Sequence, residues 1–482
     1  MISAQTVTKN SFFSLSSSVM QKLLTLAYFI IVARVFGPEE QGRYSAALAF
    51  ATLFGVLIDM GLASALTRET ARDVARAKDF LGQMFLARIA LGVVVYGLIV
   101  GSAVVFGYSQ ELVSMIVVAG VASVIDVMTN SCWFLLRGFR NLLYESIGSV
   151  AAVLAMVVVG SIALVMGYPV IALVYAVLFG SCVNLAFALF TVFFRARIPL
   201  LMAPNWKTLR FLAVISLPFA GAAIFSRIYT FADVILLAKF SGEQAVGWYS
   251  AGNKLILALN IIPAALSASL YPALSSYCTS APHKLEHLVS KALFFLLLIS
   301  APIGFGITMT ASSIVMLFYG ADYLPTIPVL QLLGASLLFG YLSYPFGSLL
   351  AATNRQKTGT FVMGIVALVN IVFNIIFIHR YGAVGSALAS VVAMIALVCL
   401  SAWFSRKVFS VSLRPLMGRV AKILFSASVM AIILGLLEFR GAPLGVLIFV
   451  GACVYAGCIL ITRTLTGHEL REIRAAFFKR SS

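Results

Sequence analysis

The run Ala33-Arg34-Val35-Phe36-Gly37, followed by Gly42-Arg43-Tyr44-Ser45-Ala46, returns 205 residues later as Ala238-Lys239-Phe240-Ser241-Gly242 and Gly247-Trp248-Tyr249-Ser250-Ala251, with no gap between the copies. The register extends back to Lys22-Leu23-Leu24-Thr25 against Arg227-Ile228-Tyr229-Thr230, and forward to Ala63-Ser64 against Ala268-Ser269. A chain with this repeat folds as two homologous halves. A second echo, Gly167-Tyr168-Pro169-Val170-Ile171-Ala172-Leu173 against Gly382-Ala383-Val384-Gly385-Ser386-Ala387-Leu388, runs at an offset of 215 and so places about ten extra residues inside the second half, near Phe318 to Pro328.

Composition sets the solvent. The chain is 62% hydrophobic and 10% charged, where a soluble domain carries about 25% charged residues. It divides into fourteen apolar windows, each able to span a bilayer core that needs roughly 20 helical residues. The windows lack the period-two alternation of barrel strands, and small residues run through them as helix packing in lipid requires. The expected fold is all-α: a polytopic membrane protein of about 14 transmembrane helices, with two six-helix lobes related by a pseudo-two-fold axis and two extra C-terminal helices. The boundaries fall at 1–205 for the first lobe, 206–410 for the second, 411–463 for the added pair and 464–482 for a tail. The tail reads as an amphipathic helix on the inner membrane surface, with a Thr466-x-x-Glu469 capping box and Leu470, Ile473 and Phe477 on one face.

Charge placement gives an orientation. With the N-terminus inside, 25 of the 34 Lys and Arg fall in cytoplasmic segments, five in outside loops and four (Lys22, Arg88, Arg227, Lys254) within helices. That bias satisfies the positive-inside rule and puts both termini in the cytoplasm. The net charge of +18 then reflects topology and attraction to anionic headgroups, which excludes a nucleic-acid partner. The N-terminus lacks the pattern of a cleaved secretory signal, and six scattered cysteines without a Cys-x-x-Cys pair read as free thiols.

Ionisable groups inside a membrane mark function by default, because each costs about 2.5–3.5 kcal/mol at a helix centre. Lys22 and Arg227 occupy matching positions of the repeat, and each is followed three residues on by a threonine, Thr25 or Thr230. Spacing of three places cation and hydroxyl on one helical face. Halves packed about a two-fold axis would bring the two cations toward a common cavity suited to a doubly charged anion. Lys254 is a third candidate for that anion, whereas Arg88, near a helix end, can snorkel. The acidic residues Asp59, Asp126 and Asp233 either carry a coupling proton or sodium ion or neutralise the cations. Asp126 shares a stripe with Ser123 and Asn130, and Asp233 shares one with Ser226 and Thr230. Asn370 and Asn374 form a further stripe, suited to sugar hydroxyls or to interhelical hydrogen bonds.

Enzyme signatures are weak. His283-Lys284-Leu285-Glu286-His287 matches a zinc-peptidase spacing, but it sits in a short inside loop without a third acidic ligand. No metal site or cofactor is expected. A membrane glycan polymerase or ligase would need reactive groups on sizeable outside loops, and the outside loops are short.

Asp59-Met60-Gly61-Leu62 followed by Thr67-Arg68-Glu69, Asp233 to Lys239 followed by Gly247-Trp248-Tyr249-Ser250-Ala251, and the turn Gly37-Pro38-Glu39-Glu40-Gln41-Gly42 together resemble the polysaccharide-transport (Wzx-type) branch of the multidrug/oligosaccharidyl-lipid/polysaccharide (MOP) exporter superfamily. The resemblance spans the first twelve helices. It implies a flippase of the bacterial inner membrane that moves a polyprenyl-pyrophosphate-linked oligosaccharide to the outer leaflet by alternating access between two lobes. It also implies a cationic cavity, contacts with membrane lipids, and a place beside a polysaccharide polymerase and chain-length machinery. Two neighbouring branches stay open: a lipid II-type precursor flippase, which usually has arginines in helices 1, 2 and 8, and a cation-coupled multidrug antiporter.

Overall fold

The computed structural model describes residues 4–72, 77–139, 142–196, 204–280, 283–406, 414–465 and Glu469. The described residues are helical almost throughout. In chain order the helices are α1 (Ala4–Asp59), α2 (Leu62–Arg72), α3 (Ala77–Val105), α4 (Gln110–Gly138), α5 (Leu143–Val165), α6 (Ile171–Phe190), α7 (Trp206–Leu259), α8 (Ile261–Ser280), α9 (His283–Met309), α10 (Ala311–Phe318), α11 (Thr326–Ala352), α12 (Gln356–Ser405), α13 (Arg414–Phe439) and α14 (Leu444–Ile461). The protein is an all-α polytopic membrane protein.

Eleven helical runs among the described residues are long and apolar enough to cross a bilayer, against the fourteen expected. Some of the runs are unusually long. Three runs are 47, 60 and 50 residues long (Phe13–Asp59, Phe219–Cys278, Gln356–Ser405), and a helix of ~47 residues is about 70 Å long, more than twice a bilayer core. Each is interrupted by a glycine that leaves the helical region: Gly37, Gly242 or Gly382. Gly37 (φ 75°, ψ 179°) and Gly242 (φ 83°, ψ 176°) have the same conformation. It is one that a side chain disfavours, and it recurs at the repeat offset of 205. The longer segment anticipated near Phe318 holds α10, a single 3-10 turn (Ala321–Tyr323) and the start of α11.

Two compact units form. The first comprises Met1–Ile261 with Gly359–Ala393, the second Ile262–Thr358 with Met394–Ser482. These units cut across the repeat boundary, because α7 and the first part of α12 pack with α1–α6. In the first unit Trp133, Leu66, Leu81 and Met84 are fully buried in one cluster. Asn205 caps α7, its side chain accepting from the backbone N–H groups of Lys207 and Thr208 at 3.1 and 3.3 Å, which satisfies two donors that a helix start leaves open. In the second unit α13 and α14 pack against α9, where the Tyr455 hydroxyl donates to the Leu298 carbonyl at 2.9 Å. Large apolar side chains such as Val93, Phe449 and Phe425 are exposed on helix faces, as a lipid-facing surface permits and a water-facing one does not. Apart from its first residues and Glu469, which accepts from Arg419 at 2.8 Å, the expected amphipathic tail lies outside the described residues.

Candidate functional site: a polar cavity and a buried carboxylate

The two copies of the repeat meet face to face inside the first unit. Gly42 on α1 lies against the Glu243 carbonyl, and Gly247 on α7 lies against the Pro38 carbonyl. Since 243 is 205 beyond 38 and 247 is 205 beyond 42, the contact is reciprocal, as a local two-fold axis demands. Around it Arg43 makes ion pairs with Glu39 (3.0 Å), Glu40 (2.5 Å), Glu111 and Glu243. Ser109 donates to Glu243 as well, and Lys239 donates to the Phe106 carbonyl. The clasp joins α1, α4 and α7. The signal for this clasp in the sequence is Glu39 and Glu40 at the i−4 and i−3 positions before Arg43.

A cavity of about 620 Å³ opens within the same unit, among α1, α4, α5, α6 and α7. Asp59, Asp126, Asn130, Arg137 and Arg227 line it, together with Ser181 and Asn184. Two of its charges are neutralised locally. Asp59 accepts from Arg88, which is fully buried and also donates to Ser131 and, at 2.9 Å, to the Val127 carbonyl. Arg88 therefore does not snorkel; it is the partner of Asp59. Arg137 donates to Glu145 at 2.7 Å. Arg227 and Asp126 have no ion pair among the described residues, and Arg227 packs at 5.8 Å from the Phe231 ring.

The structure thus brings Arg227, Asp59, Asp126 and Asn130 to one cavity. Lys22 is not among its lining residues, although its neighbour Gln21 is. Thr25 and Thr230 donate their hydroxyls back to the Gln21 and Ser226 carbonyls of their own helices, each at 2.8 Å. Lys254 rests over the Phe29 ring at 5.4 Å.

Asp233 stands apart from these. The residue is 6% exposed. One oxygen accepts from Asn374 at 2.7 Å, and the other accepts from Tyr249 at 2.5 Å and from Ser390 at 2.7 Å. Ser386 donates to the Asn374 amide oxygen at 2.9 Å, and Asn370, fully buried, lies one turn before Asn374 on α12. Of the Asn370/Asn374 stripe, Asn374 serves a carboxylate, and the buried Asn370 side-chain amide makes no hydrogen bond among the described residues. Asp233 has no cation partner among the described residues, and Tyr249, Ser386 and Ser390 are site residues that sequence reasoning missed. No cluster of three or more His, Cys, Asp or Glu fit to hold a metal occurs among the described residues.

A family model described as "Polysaccharide biosynthesis protein" matches residues 7–278, and a second, MatE, matches residues 218–376. The chain is 20% identical over 443 residues to the "Probable low-salt glycan biosynthesis flippase Agl15" of Haloferax volcanii, covering 91% of this chain and 92% of that protein. Among solved structures it resembles the lipid II flippase MurJ in its inward closed conformation, with a TM-score of 0.77 at 18% identity over 94% of this chain and 99% of that one. It also resembles an inward-facing multidrug resistance MATE transporter of the MOP superfamily, with a TM-score of 0.65 at 20% identity over 80% and 94%. The fold is that of these transporters, and the chain belongs to the polysaccharide biosynthesis protein family.

Proposed function

We propose that this protein flips a polyprenyl-pyrophosphate-linked oligosaccharide repeat unit across a prokaryotic cytoplasmic membrane, for assembly of a surface polysaccharide. The observation that carries this reading is the polar cavity of the first unit. It holds an arginine with no ion pair among the described residues, Arg227, beside carboxylate and amide groups, so one pocket offers donors for a phosphate and partners for sugar hydroxyls. Full-length similarity to a protein described as a glycan biosynthesis flippase supports the same substrate class.

In this reading the three glycine-broken runs each cross twice, which gives fourteen crossings, two six-helix lobes and both termini in the cytoplasm. Arg227, Lys22 and Lys254 take the pyrophosphate. Asp233, held by three donors and by no cation among the described residues, binds the coupling proton or sodium ion, since an intramembrane carboxylate of this kind is a relay or ion site by default. The polymerase and chain-length machinery receive the delivered unit.

The test is deletion of the gene, followed by mass spectrometry of polyprenyl-linked intermediates and probing of their leaflet with a membrane-impermeant lectin. The expected result is accumulation of one completed repeat unit on the inner leaflet. No accumulation, with altered drug resistance instead, would move the protein to the antiporter branch; accumulation of peptidoglycan precursor would make it a lipid II-type flippase.

A further inference from the structure

We infer that the cavity of the first unit is a sugar-recognition subsite, in which Asp126 and Asn184 read the hydroxyls of one or two neutral sugar residues of the carried glycan. This rests on the flippase reading and assigns Asp126 to specificity instead of ion coupling. The charge inventory comes first. With Asp59 paired to Arg88 and Arg137 paired to Glu145, one anion and one cation on the walls have no ion pair among the described residues, Asp126 from α4 and Arg227 from α7. Arg227 takes phosphate in the proposed function, so Asp126 is the charged wall group left for the rest of the ligand. A carboxylate there favours a neutral, hydroxyl-bearing group over a second anion.

Hydrogen-bonding capacity narrows the class. The Asn184 amide oxygen on α6 is buried and accepts nothing among the described residues, so a hydroxyl that donated to it would satisfy an open acceptor. Asp126 already accepts from Ser181 and keeps further acceptor capacity on its two oxygens, and Asn130, one helical turn along α4, offers both a donor and an acceptor. The matching ligand must donate several hydrogen bonds and accept others at short intervals. Vicinal hydroxyls do both. The volume of about 620 Å³ falls in the range of drug-sized ligand sites, which accommodates one or two sugar rings. A site built to bind hydroxyls also discriminates strongly, because a sugar lacking the right hydroxyl leaves buried groups unpaired.

The experiment uses the full chain in lipid nanodiscs. Farnesyl pyrophosphate is compared with farnesyl pyrophosphate carrying N-acetylglucosamine, galactose or glucose. At least one sugar-bearing probe should bind about 10-fold or more tighter than farnesyl pyrophosphate. Asp126→Asn and Asn184→Leu should each remove most of that difference while still binding farnesyl pyrophosphate, Asp126→Asn at least as tightly as the unmodified protein because an anion beside Arg227 is gone, which also shows that the variants are folded. Arg227→Ala should weaken all four probes together. A sugar preference that survives in both cavity variants, or none for any sugar in the unmodified protein, overturns the inference and leaves the flippase reading standing. Failure of the unmodified protein to bind any probe sinks the flippase reading itself.

Discussion

Gly42 and Gly247 hold equivalent places in the two copies of the repeat, and each presses on the backbone of the other copy, at Glu243 and at Pro38. Neither site has room for a Cβ. An added methyl must push α1 and α7 apart, and overpacking of this kind costs about 1–3 kcal/mol. Gly42→Ala and Gly247→Ala should therefore each lower the unfolding midpoint of the purified protein. Gly97→Ala, where nothing lies within 4 Å of an added Cβ, should stay within about 0.5 kcal/mol of the parent. Equal midpoints for all three would show that the junction is not close-packed.

Arg43 is the hub of the clasp beside that junction. Its side chain is 11% exposed and that of Glu243 is 14% exposed, whereas Glu111 is 70% exposed. Breaking a buried pair costs several kcal/mol because a charge is stranded, but solvated partners discount it. Arg43→Gln should cost about 1–3 kcal/mol by that reasoning. Glu243→Gln combined with it should cost less than the two single changes added together, since the stranded charge is then gone. Additive losses in nanodisc unfolding would mean that the pair does not couple α1 to α7.

The duplication, the helical class and the membrane-spanning character were legible because hydrophobic length and sequence repetition are local properties. Pairing was not. Asp59 and Arg88 looked like separate candidates until α1 and α3 placed them in contact, and the exposed-looking Arg88 proved fully buried. The Asp233 site draws on α7 and α12, with Tyr249 sixteen residues away in sequence and Ser390 157 residues away. Its asymmetry was readable all the same. Asp233 and Tyr249 align at the 205 offset with Tyr28 and Tyr44, so the first copy carries no carboxylate at this place.

Arg227 lines the cavity of the first unit and Lys22, its repeat partner, does not. If Arg227 holds a pyrophosphate, losing a charge-assisted hydrogen bond worth about 1.5–3 kcal/mol should slow transport roughly 10- to 100-fold. Arg227→Ala and Arg227→Glu should remove most surface glycan with membrane levels of the protein unchanged, Arg227→Lys should be milder, and Lys22→Ala should fall between Arg227→Ala and the parent. Normal glycan in Arg227→Glu would remove this residue from the site.

Asp233 accepts from Asn374, Tyr249 and Ser390 and has no cation partner among the described residues, so a bound sodium ion or proton would complete it. A ligand that binds only the folded state stabilises it by about 2.7 kcal/mol at 100 times its dissociation constant. If the ion is sodium, saturating sodium should raise the unfolding midpoint of the parent protein and leave that of Asp233→Asn unmoved, while potassium does little to either. If it is a proton, sodium should have no effect and transport by the parent should follow the pH gradient. In both cases Asp233→Asn should lose gradient dependence, and Tyr249→Phe, which removes one donor and keeps the carboxylate, should retain it. Transport by Asp233→Asn that still follows the parent's gradient would leave this carboxylate as a structural tie between α7 and α12.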